Sequence, residues 1–515
     1  MSWEPEVEEL RKRKELAKVM GGEEKLARHI NAGKLPVRER IEKILDTGSF
    51  HEVGSITGKV EYDADGNLVS MQPANLITGR GKIRGRRVVV AGDDFTVRGG
   101  ANDAGIREKL IHVEMMANQL QLPLIRLVDG TGGGGSVKTI ETEGRTYIPA
   151  VRGWEVVVDN LSTIPVVGLA LGSTAGLGAA RVAASHYSVM IKETSQMFVA
   201  GPPVVARVGE SLSKNELGGS DIHTRNGAVD DEASSEEEAF ERAAQFLSYL
   251  PQSVHQLPER SAPAEDTERG DDWLIKAIPR NSRQVYKTRK IINSVVDEDS
   301  FFEMGKKWGR SVITGFARLD GWPVAILASD PYHYAGAWTS DAADKVLRFV
   351  DLAQTFHLPV VHLVDIPGFL VGREAEEQAT IRHGVRAMTA IWQATVPWCT
   401  IIMRKTYGVA GAAHMNGSRF NLRYAWPSGD WGSLPIAGGL EAAYKAELEA
   451  SSDPEAKLAE IEGRLDQLRS PFRTAERFMV EEIIDPRDTR KLLCEFADIA
   501  APLRKTGKPS FGVRP

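Results

Sequence analysis

Two short apolar runs in the C-terminal half of the chain have the length of buried strands. Residues 360–364 end at an Asp-Ile-Pro-Gly turn, and residues 400–403 end at Arg404, shortly before the small-residue stretch 407–413. Residues 374–393, which lie between them, have a helical pattern. A strand that runs into a small-residue turn and then a helix aims free backbone N–H groups at one point. The pattern therefore predicts a site for an anion or a developing oxyanion.

The chain contains an internal repeat. Residues 121–129 (Gln-Leu-Pro-Leu-Ile-Arg-Leu-Val-Asp) resemble residues 357–365 (His-Leu-Pro-Val-Val-His-Leu-Val-Asp), an offset of 236 positions (365 − 129). Three further pairs keep this offset: Asp94 with Asp330, Gly100 with Gly336, and Lys109 with Lys345. The glycine turn at 175–180 then falls opposite 407–413. An offset that persists in this way indicates a duplicated domain. The alternative is two unrelated α/β halves that share a common strand-to-helix turn.

Each repeat alternates strands and helices, which predicts an α/β fold. We expect two domains, residues 1–265 and 266–515, near a linker at 251–272 that is rich in Pro, Ser and acidic residues. Other predicted elements are a helical arm over 1–50, strands at 51–62 and 83–91, an acidic helix at 236–250, and polar helices at 440–468 and 486–503.

Composition excludes several function classes. The 515 residues carry a net charge of −6 with a pI near 6.1, so no global charge points to nucleic acid or an anionic membrane. No apolar run approaches the ~20 residues that cross a bilayer, and the polar N-terminus has no secretory pattern, so we expect a cytoplasmic protein. Two cysteines, Cys399 and Cys494, are too few for a disulfide framework or a four-cysteine zinc site.

Familiar catalytic motifs are missing or imperfect. Residues 129–139 (Asp-Gly-Thr-Gly-Gly-Gly-Gly-Ser-Val-Lys-Thr) approach a phosphate-binding P-loop, but Val137 stands where that motif has glycine before the lysine. A backbone-exposing loop over a ligand is the better interpretation. The histidines are scattered, and no nucleophile–histidine–acid set, His-Glu-x-x-His motif or dinucleotide fingerprint is readable.

Two small-residue turns remain as candidate sites. The stretch 172–181 follows the apolar run 166–170, and its partner in the second repeat is 408–413. Without bulky side chains, the N–H groups at such a helix start can close on a carbonyl oxygen, and one such donor stabilises an oxyanion by about 3–4 kcal/mol. Tight packing of helix on strand also selects Gly and Ala, so each turn alone is ambiguous.

The sequence resembles the carboxyltransferase subunit of biotin-dependent acyl-CoA carboxylases, with the propionyl-CoA and methylcrotonyl-CoA carboxylase β subunits as the nearest types. The resemblance covers nearly the whole chain. Its motifs are Arg38-Glu39-Arg40-Ile41 with Leu45-Asp46, Gly201-Pro202-Pro203, Glu216-Leu217-Gly218-Gly219 with His223, Ser294-Val295-Val296-Asp297, Gly315-Phe316-Ala317-Arg318, Val364-Asp365-Ile366-Pro367-Gly368-Phe369, Ile381-Arg382-His383-Gly384, and Arg404-Lys405-Thr406-Tyr407-Gly408.

This resemblance implies two tandem crotonase-like (ββα spiral) domains in each chain and a hexamer, in which the N-domain of one subunit faces the C-domain of another. It also implies an acyl-CoA substrate and a carboxybiotin carried on a separate biotin carboxylase/biotin carrier subunit, because this chain has no biotinyl-lysine motif. Residues 1–265 would form the acyl-CoA side and residues 266–515 the biotin side.

The resemblance further implies which residues form the site. Carried over by position, the catalytic donors are the N–H groups of Gly176 and Leu177 for the thioester oxygen, and those of Val409 and Ala410 for the biotin ureido oxygen. Both partners pass through enolate-like anions, so two oxyanion holes suffice without a side-chain base. The implied substrate-binding residues are Gly132, Gly133, Ala175, Gly178, Gly408, Gly411 and Ala412.

The chain also departs from the family pattern. Relatives usually carry Asp-Ser-Gly-Ala-Arg where residues 129–133 read Asp-Gly-Thr-Gly-Gly. The propionyl enzymes often have an Asp near Ala412, so we hypothesise an acyl group bulkier than propionyl, or of another shape. Two alternatives stay open: a malonyl- or glutaconyl-CoA type decarboxylase, and a non-catalytic CoA-binding assembly subunit.

Overall fold

The structure, a computed structural model, describes residues 2–101, 106–130, 140–141, 144–146, 148, 150–262, 266–435, 439–440 and 443–510. The chain forms two compact units, one from Met1–Gln256 with Gly507–Pro515 and one from Leu257–Thr506. The point of division lies inside the linker region 251–272 that the sequence predicts.

The first unit is built on a seven-stranded sheet in the order β1-β4-β5-β6-β7-β9-β11. The pairs β1–β4 and β4–β5 are antiparallel, and every pair from β5 onward is parallel. The described strands of this unit are β1 (His51–Val53), β2 (Gly58–Tyr62), β3 (Leu68–Pro73), β4 (Leu76–Ile83), β5 (Arg86–Asp93), β6 (Leu124–Val128), β7 (Val166–Ala170), β8 (Ser173–Ala175), β9 (Tyr187–Ile191), β10 (Gln196–Phe198) and β11 (Asp231–Ala233). Outside the main sheet, β2 pairs with β3 and β8 pairs with β10.

Helices cover this sheet. The α-helices of the described residues in this unit are α1 (Glu4–Lys18), α2 (Glu23–Asn31), α3 (Val37–Ile44), α4 (Arg107–Leu120), α5 (Trp154–Asn160), α6 (Leu177–Ala183), α7 (Pro202–Val205), α8 (Lys214–Gly218), α9 (Ser220–Arg225) and α10 (Glu236–Ser248). Val113 and Ala117 of α4 pack on Val89 of β5 and Leu124 of β6, all fully buried. Burying one such large apolar side chain contributes about 1.5–3 kcal/mol.

The second unit repeats this plan. Its sheet runs β12-β13-β14-β15-β16-β17-β19, with β18 pairing β16, and again changes from antiparallel to parallel pairs, here after β14. Its strands are β12 (Phe302–Met304), β13 (Val312–Leu319), β14 (Trp322–Ser329), β15 (Val360–Ile366), β16 (Trp398–Tyr407), β17 (Leu422–Ala425), β18 (Asp430–Gly432) and β19 (Glu482–Ile483).

The helices of the second unit complete its core. They are α11 (Thr288–Val295), α12 (Ser340–Thr355), α13 (Arg373–Glu377), α14 (Thr380–Gln393), α15 (Gly408–Ala412), α16 (Lys445–Glu449), α17 (Pro454–Asp466), α18 (Pro471–Ala475) and α19 (Thr489–Ala500). Ile292 of α11 and Phe496 of α19 pack with Ile313 and Leu363 of the sheet in one buried cluster. The α/β class predicted from the sequence is confirmed.

Some predicted boundaries are wrong for local reasons. The predicted helix at 374–393 is two helices, α13 and α14, because Ala379 between them has a left-handed φ of 53°. The second apolar run does not stop at Arg404, since β16 continues to Tyr407 by pairing with β18. The predicted helix at 440–468 contains α16 and α17, and α17 begins anew where Asp453 caps it and Pro454 opens it.

Candidate active site

Each of the two predicted glycine turns has a glycine with a positive φ where a short helix starts. Gly176 has φ 55° at the start of α6, and Gly408 has φ 61° at the start of α15. They lie 232 positions apart (408 − 176), which agrees with the repeat. A positive φ is costly for residues with a Cβ, so both turns need glycine to swing the chain from a strand end into a short helix.

The first turn presents the amide groups of Leu177 and Gly178. The first hydrogen bond into the helix runs from the Ala180 N–H to the Gly176 carbonyl over 2.9 Å. No hydrogen bond among the described residues uses the N–H of Leu177 or of Gly178. Because the first amides of a helix have no partner within it, these two are available to an acceptor.

The Gly176 N–H, predicted as an oxyanion donor, already has a partner. It donates to the Phe198 carbonyl over 3.2 Å. The reason is the small parallel pairing of β8 with β10, in which Ala175 lies opposite Phe198. In this structure the N–H groups that the first turn can offer to a ligand are therefore those of Leu177 and Gly178.

A cavity of about 230 Å³ lies against this turn. Leu177 and Gly178 line it, whereas Ala175 and Gly176 are not among its lining residues. Gly132 and Gly133 lie outside the described residues. The other lining residues are Asn75, Leu76, Asp93, Gly100, Ile106, Arg107, Leu110, Ile111, Gly130, Ala150, Val151, Arg152 and Arg181.

A buried ion pair forms one wall of this cavity. Arg181 Nη1 lies 3.0 Å from Asp93 Oδ1, and only 7% of the Arg181 surface is exposed. Burial would lower the pKa of Arg181, but the Asp93 carboxylate more than compensates, so the guanidinium stays charged. Neither residue was identified from the sequence, because they are 88 positions apart and belong to no motif.

A second cavity in the same unit, of about 510 Å³, is strongly basic. Ser173 of β8 lines it, and the same strand leads along the chain into the turn at Leu177. Glu193 is the acidic residue of its lining. The basic residues of the lining are Lys25, Arg28, Lys34, Arg98 and Lys214, with His29 beside them. A concave surface with this charge suits phosphate groups.

The turn of the second unit presents Val409 and Ala410. No hydrogen bond among the described residues uses the N–H of either residue. Ala410 is fully buried, whereas the Val409 side chain is 50% exposed. A Cβ on Gly411 would meet the Thr406 carbonyl carbon at 2.7 Å, so Gly411 permits close packing of α15 on β16. Ala412 is exposed on the same helix.

His414 holds the end of this turn in place. Its ring Nδ1 lies 2.8 Å from the Gly411 carbonyl. Its own carbonyl accepts hydrogen bonds from Trp398 Nε1 (3.1 Å), Thr400 Oγ1 (3.2 Å) and His362 Nδ1 (2.9 Å). Burial lowers the pKa of His362 to about 3 and that of His414 to about 4, so both rings are neutral and serve as hydrogen-bonding groups at neutral pH.

Among the described residues, no cluster of three or more His, Cys, Asp or Glu side chains is arranged to hold a metal ion. A search of the same residues for membrane spans found no helix with the necessary length and apolar character.

Comparison with known proteins identifies relatives of the kind that the sequence resemblance implies. The carboxyl transferase domain family matches residues 28–509. The chain is 34% identical over 502 residues, 96% of this chain and 95% of the relative, to the propionyl-CoA carboxylase carboxyltransferase subunit of Haloferax mediterranei. It is 31% identical to the methylmalonyl-CoA carboxyltransferase 12S subunit of Propionibacterium freudenreichii, over 98% of this chain and 95% of the relative.

A third relative and a solved structure complete the comparison. The methylmalonyl-CoA decarboxylase α subunit of Veillonella parvula is 30% identical over 96% of both chains. The transcarboxylase 12S crystal structure, described as a hexamer with methylmalonyl-CoA bound, superposes with a TM-score of 0.88 at 29% identity, over 99% of this chain and 97% of that chain. This match confirms the predicted crotonase-like fold.

Proposed function

This chain belongs to the carboxyl transferase family and is a carboxyltransferase of the biotin-dependent acyl-CoA carboxylase type, and from that premise we propose how its two turns divide the reaction. The chain moves a carboxyl group from carboxybiotin, carried on a partner protein, to the α-carbon or vinylogous carbon of an acyl-CoA. The turn at α6 stabilises the thioester oxyanion, and the turn at α15 stabilises the ureido oxygen of biotin.

One observation carries this proposal: each repeat has a positive-φ glycine followed by backbone amides that no described group uses. A duplicated amide pair fits a reaction in which two different oxygens become negative. Each donor aimed at such an oxygen is worth about 3–4 kcal/mol in the transition state. The arrangement needs no catalytic side chain, which agrees with the neutral, hydrogen-bonded state of His362 and His414.

On the acyl-CoA side, the donors are the N–H groups of Leu177 and Gly178. The family resemblance implied Gly176 and Leu177, but the Gly176 amide donates to the Phe198 carbonyl, so we propose the pair one residue further along the chain. Leu177 and Gly178 line the 230 Å³ cavity, whose aliphatic walls suit an acyl chain. Ala175, Gly132 and Gly133 keep their predicted substrate-binding role as a proposal.

The basic cavity supports CoA as the carrier of this acyl group. CoA has phosphate groups at its nucleotide end, and Lys25, Arg28, Arg98 and Lys214 of the cavity lining offer cations for them, whereas Lys34 is paired with Asp129. Leu177 follows the strand β8 whose residue Ser173 lines that cavity, so one extended thioester can run from the basic cavity to the turn.

On the biotin side, the N–H groups of Val409 and Ala410 are the donors, with Gly408, Gly411 and Ala412 around them. Two amides without a described partner fit the single ureido oxygen that biotin presents. Biotin supplies the carboxyl group and, once that group has left, the base for the acyl α-carbon. Val409 and Ala410 hold the charge on the ureido oxygen, and His414 keeps their helix fixed on β16.

For assembly, we propose a homo-hexamer that works with a biotin carboxylase/biotin carrier partner. Support comes from the transcarboxylase 12S structure, which is a hexamer and which covers 99% of this chain. The division into an acyl-CoA side (residues 1–265) and a biotin side (residues 266–515) belongs to the same proposal. Light scattering of the purified chain tests the hexamer directly.

The function is tested with the purified full chain in two assays. The first incubates malonyl-CoA with free biotin and follows the formation of acetyl-CoA, which requires carboxyl transfer to biotin or biotin-dependent decarboxylation. The second adds a biotinylated carrier with its carboxylase and ATP, and screens acyl-CoAs for fixation of labelled bicarbonate. Activity in both supports the proposal, and absence of any acyl-CoA turnover in both overturns it.

Decarboxylation is the second candidate, because the Veillonella relative carries that name and covers 96% of the chain. The same amides would stabilise the same anions in the opposite direction. Release of CO2 from malonyl-CoA with the carrier, combined with no bicarbonate fixation when ATP is present, would favour it. The third alternative of the sequence analysis, a non-catalytic CoA-binding assembly subunit, predicts that CoA binds but neither assay shows turnover.

A further inference from the structure

Arg181 places unused hydrogen-bond donors in the wall of the 230 Å³ cavity. Its Nη1 donates to Asp93, but its buried Nε and Nη2 atoms have no hydrogen-bond partner among the described residues. The side chain is more than nine-tenths buried, and the residue lines the cavity. A charged donor that is buried without an acceptor is unfavourable, so a ligand that supplies the acceptor gains affinity.

The rest of the lining does not supply this acceptor. Neither Nε nor Nη2 of Arg181 has an acceptor within hydrogen-bond distance among the described residues. The wall formed by Leu76, Ile106 and Ile111 has aliphatic side chains only. Arg107 and Arg152 also line the cavity, so it suits a ligand with an apolar body and an anionic oxygen group, for which Arg181 is the buried donor.

Arg181 also lies on the same short helix as the two amides assigned to the thioester oxygen. It follows Leu177 by four positions and Gly178 by three, which puts all three on one face of α6. Side chains on a helix lean toward its N-terminus, and Arg181 lines the same cavity as Leu177 and Gly178. One helical turn rises only about 5.4 Å, which brings the two kinds of donor within reach of one small group.

We propose that Arg181 binds the carboxylate of the carboxylated acyl-CoA, while the thioester oxygen of the same molecule lies on the Leu177 and Gly178 amides. In such a molecule the carboxylate and the thioester share the α-carbon, so their oxygens lie a few ångströms apart. Asp93 fixes the guanidinium and leaves two of its nitrogens for the ligand. This inference rests on the proposed function and names the group that the acyl site recognises.

Binding of CoA thioesters to the full chain, measured by calorimetry, tests the proposal. The probes are malonyl-CoA, acetoacetyl-CoA, acetyl-CoA and succinyl-CoA. Acetoacetyl-CoA has nearly the shape of malonyl-CoA but replaces the carboxylate with a methyl ketone. Succinyl-CoA places its carboxylate one carbon further from the thioester. The wild-type chain should bind malonyl-CoA about tenfold or more tightly than acetoacetyl-CoA, since a charge-assisted bond to Arg181 is added.

Two variants show whether Arg181 causes this selectivity. Arg181→Met removes the guanidinium but leaves Asp93 buried without its partner. Asp93→Asn/Arg181→Met removes both charges and protects the fold. In each, the preference for malonyl-CoA over acetoacetyl-CoA should disappear while acetyl-CoA binding changes little. The matched control is Asp231→Asn/Arg242→Met, which removes another buried ion pair (2.7 Å) away from the cavity and should keep the preference.

Each outcome has a definite meaning. Unchanged selectivity in the folded double variant overturns the role of Arg181 even if the enzyme is active. The wild type could instead prefer succinyl-CoA over malonyl-CoA and lose this preference when Arg181 is replaced. That result overturns the α-carboxylate assignment, because Arg181 would then bind a carboxylate further from the thioester. Failure of every CoA thioester to bind contradicts the proposed function itself, and so is distinguishable from failure of this inference.

Discussion

Asp129 and Asp365 occupy the same place in the two repeats: each follows or ends a central parallel strand, and each carboxylate is fully buried against an arginine. Asp129 Oδ2 lies 2.9 Å from Arg40 Nη1, and Asp365 Oδ2 lies 2.8 Å from Arg404 Nη2. The arginines differ in origin, since Arg40 comes from α3 and Arg404 from the adjacent strand β16. The duplication thus preserved the buried carboxylate and changed its partner.

Replacing Asp129 should destabilise the first unit in a pH-dependent way. Burial alone would raise the pKa of Asp129, but Arg40, Lys34 and His29 together lower it below the ordinary 3.8. A carboxyl whose pKa is lower in the folded state stabilises the protein above the unfolded pKa, and this contribution is lost as the pH falls through the folded pKa. Asp129→Asn should therefore cost about 3–5 kcal/mol at pH 7.

Denaturant unfolding of wild type and Asp129→Asn at pH 7 and at several values below pH 4 checks this. The difference in unfolding free energy should shrink as the pH falls. Asp221→Asn, which removes an exposed carboxylate paired with Arg225, is the control and should have little effect at any pH. A constant difference from pH 7 to pH 3 would contradict the assigned ionisation of Asp129.

The sequence predicted the architecture better than the site. Strands β6 and β15 are visible as apolar runs, and their shared offset reveals the duplication. By contrast, engagement of the Gly176 amide depends on the carbonyl of Phe198, which reaches it only through the pairing of β8 with β10. That is a tertiary contact between two three-residue strands, and the local sequence pattern does not predict it.

The ion pair of Arg181 with Asp93 could not be predicted from the sequence for a related reason. Charged residues on a helix and at a strand end are usually solvent-exposed, and the two are separated by 88 positions. Likewise, His414 has no motif, and its role follows from three donors that converge on its carbonyl from β15 and β16. Residues 131–139, the most unusual glycine sequence, lie outside the described residues.

Leu177→Pro should abolish most activity while preserving the fold. Leu177 is the first residue of α6 after the cap Gly176, a position where proline is well tolerated, so compared with Leu177→Ala this change removes little besides the N–H. Loss of one oxyanion donor should lower kcat for carboxyl transfer about 10²–10³-fold. Leu177→Ala, which keeps the amide, is the control. Equal activity of the proline and alanine variants in the free-biotin assay would remove Leu177 from the site.

Val409→Pro tests the second turn in the same way. Val409 follows Gly408 in the first turn of α15, and its side chain is half-exposed, so proline should be accommodated. We expect carboxyl exchange with biotin to fall about 10²–10³-fold, whereas the calorimetric Kd for acetyl-CoA should stay unchanged. Val409→Ala provides the comparison. A weakened Kd for acetyl-CoA together with normal exchange would assign Val409 to the acyl-CoA side instead.

Removing cations from the basic cavity should weaken the binding of CoA thioesters. The lost affinity should come only from the nucleotide end of CoA, where its phosphate groups lie. The variant Arg98→Met/Lys214→Met should raise the Kd for acetyl-CoA about tenfold at low salt, with a smaller effect at high salt because charge attraction is screened. Acetyl-pantetheine, which lacks the nucleotide, should bind equally to variant and wild type. Lys59→Met/Arg225→Met makes the same change in net charge elsewhere. A parallel loss for both thioesters would indicate damage to the fold.

The last prediction concerns Ala412, at the exposed end of α15. If a small residue here admits an acyl group bulkier than propionyl, a large side chain should exclude it. Ala412→Phe should lower kcat/KM about tenfold or more for the best bulky acyl-CoA and leave acetyl-CoA nearly unaffected, since only the larger group meets the ring. Ala446→Phe, at an exposed alanine of α16, is the control. An unchanged ratio of bulky to acetyl turnover in Ala412→Phe would refute the hypothesis, because steric exclusion has to alter that ratio.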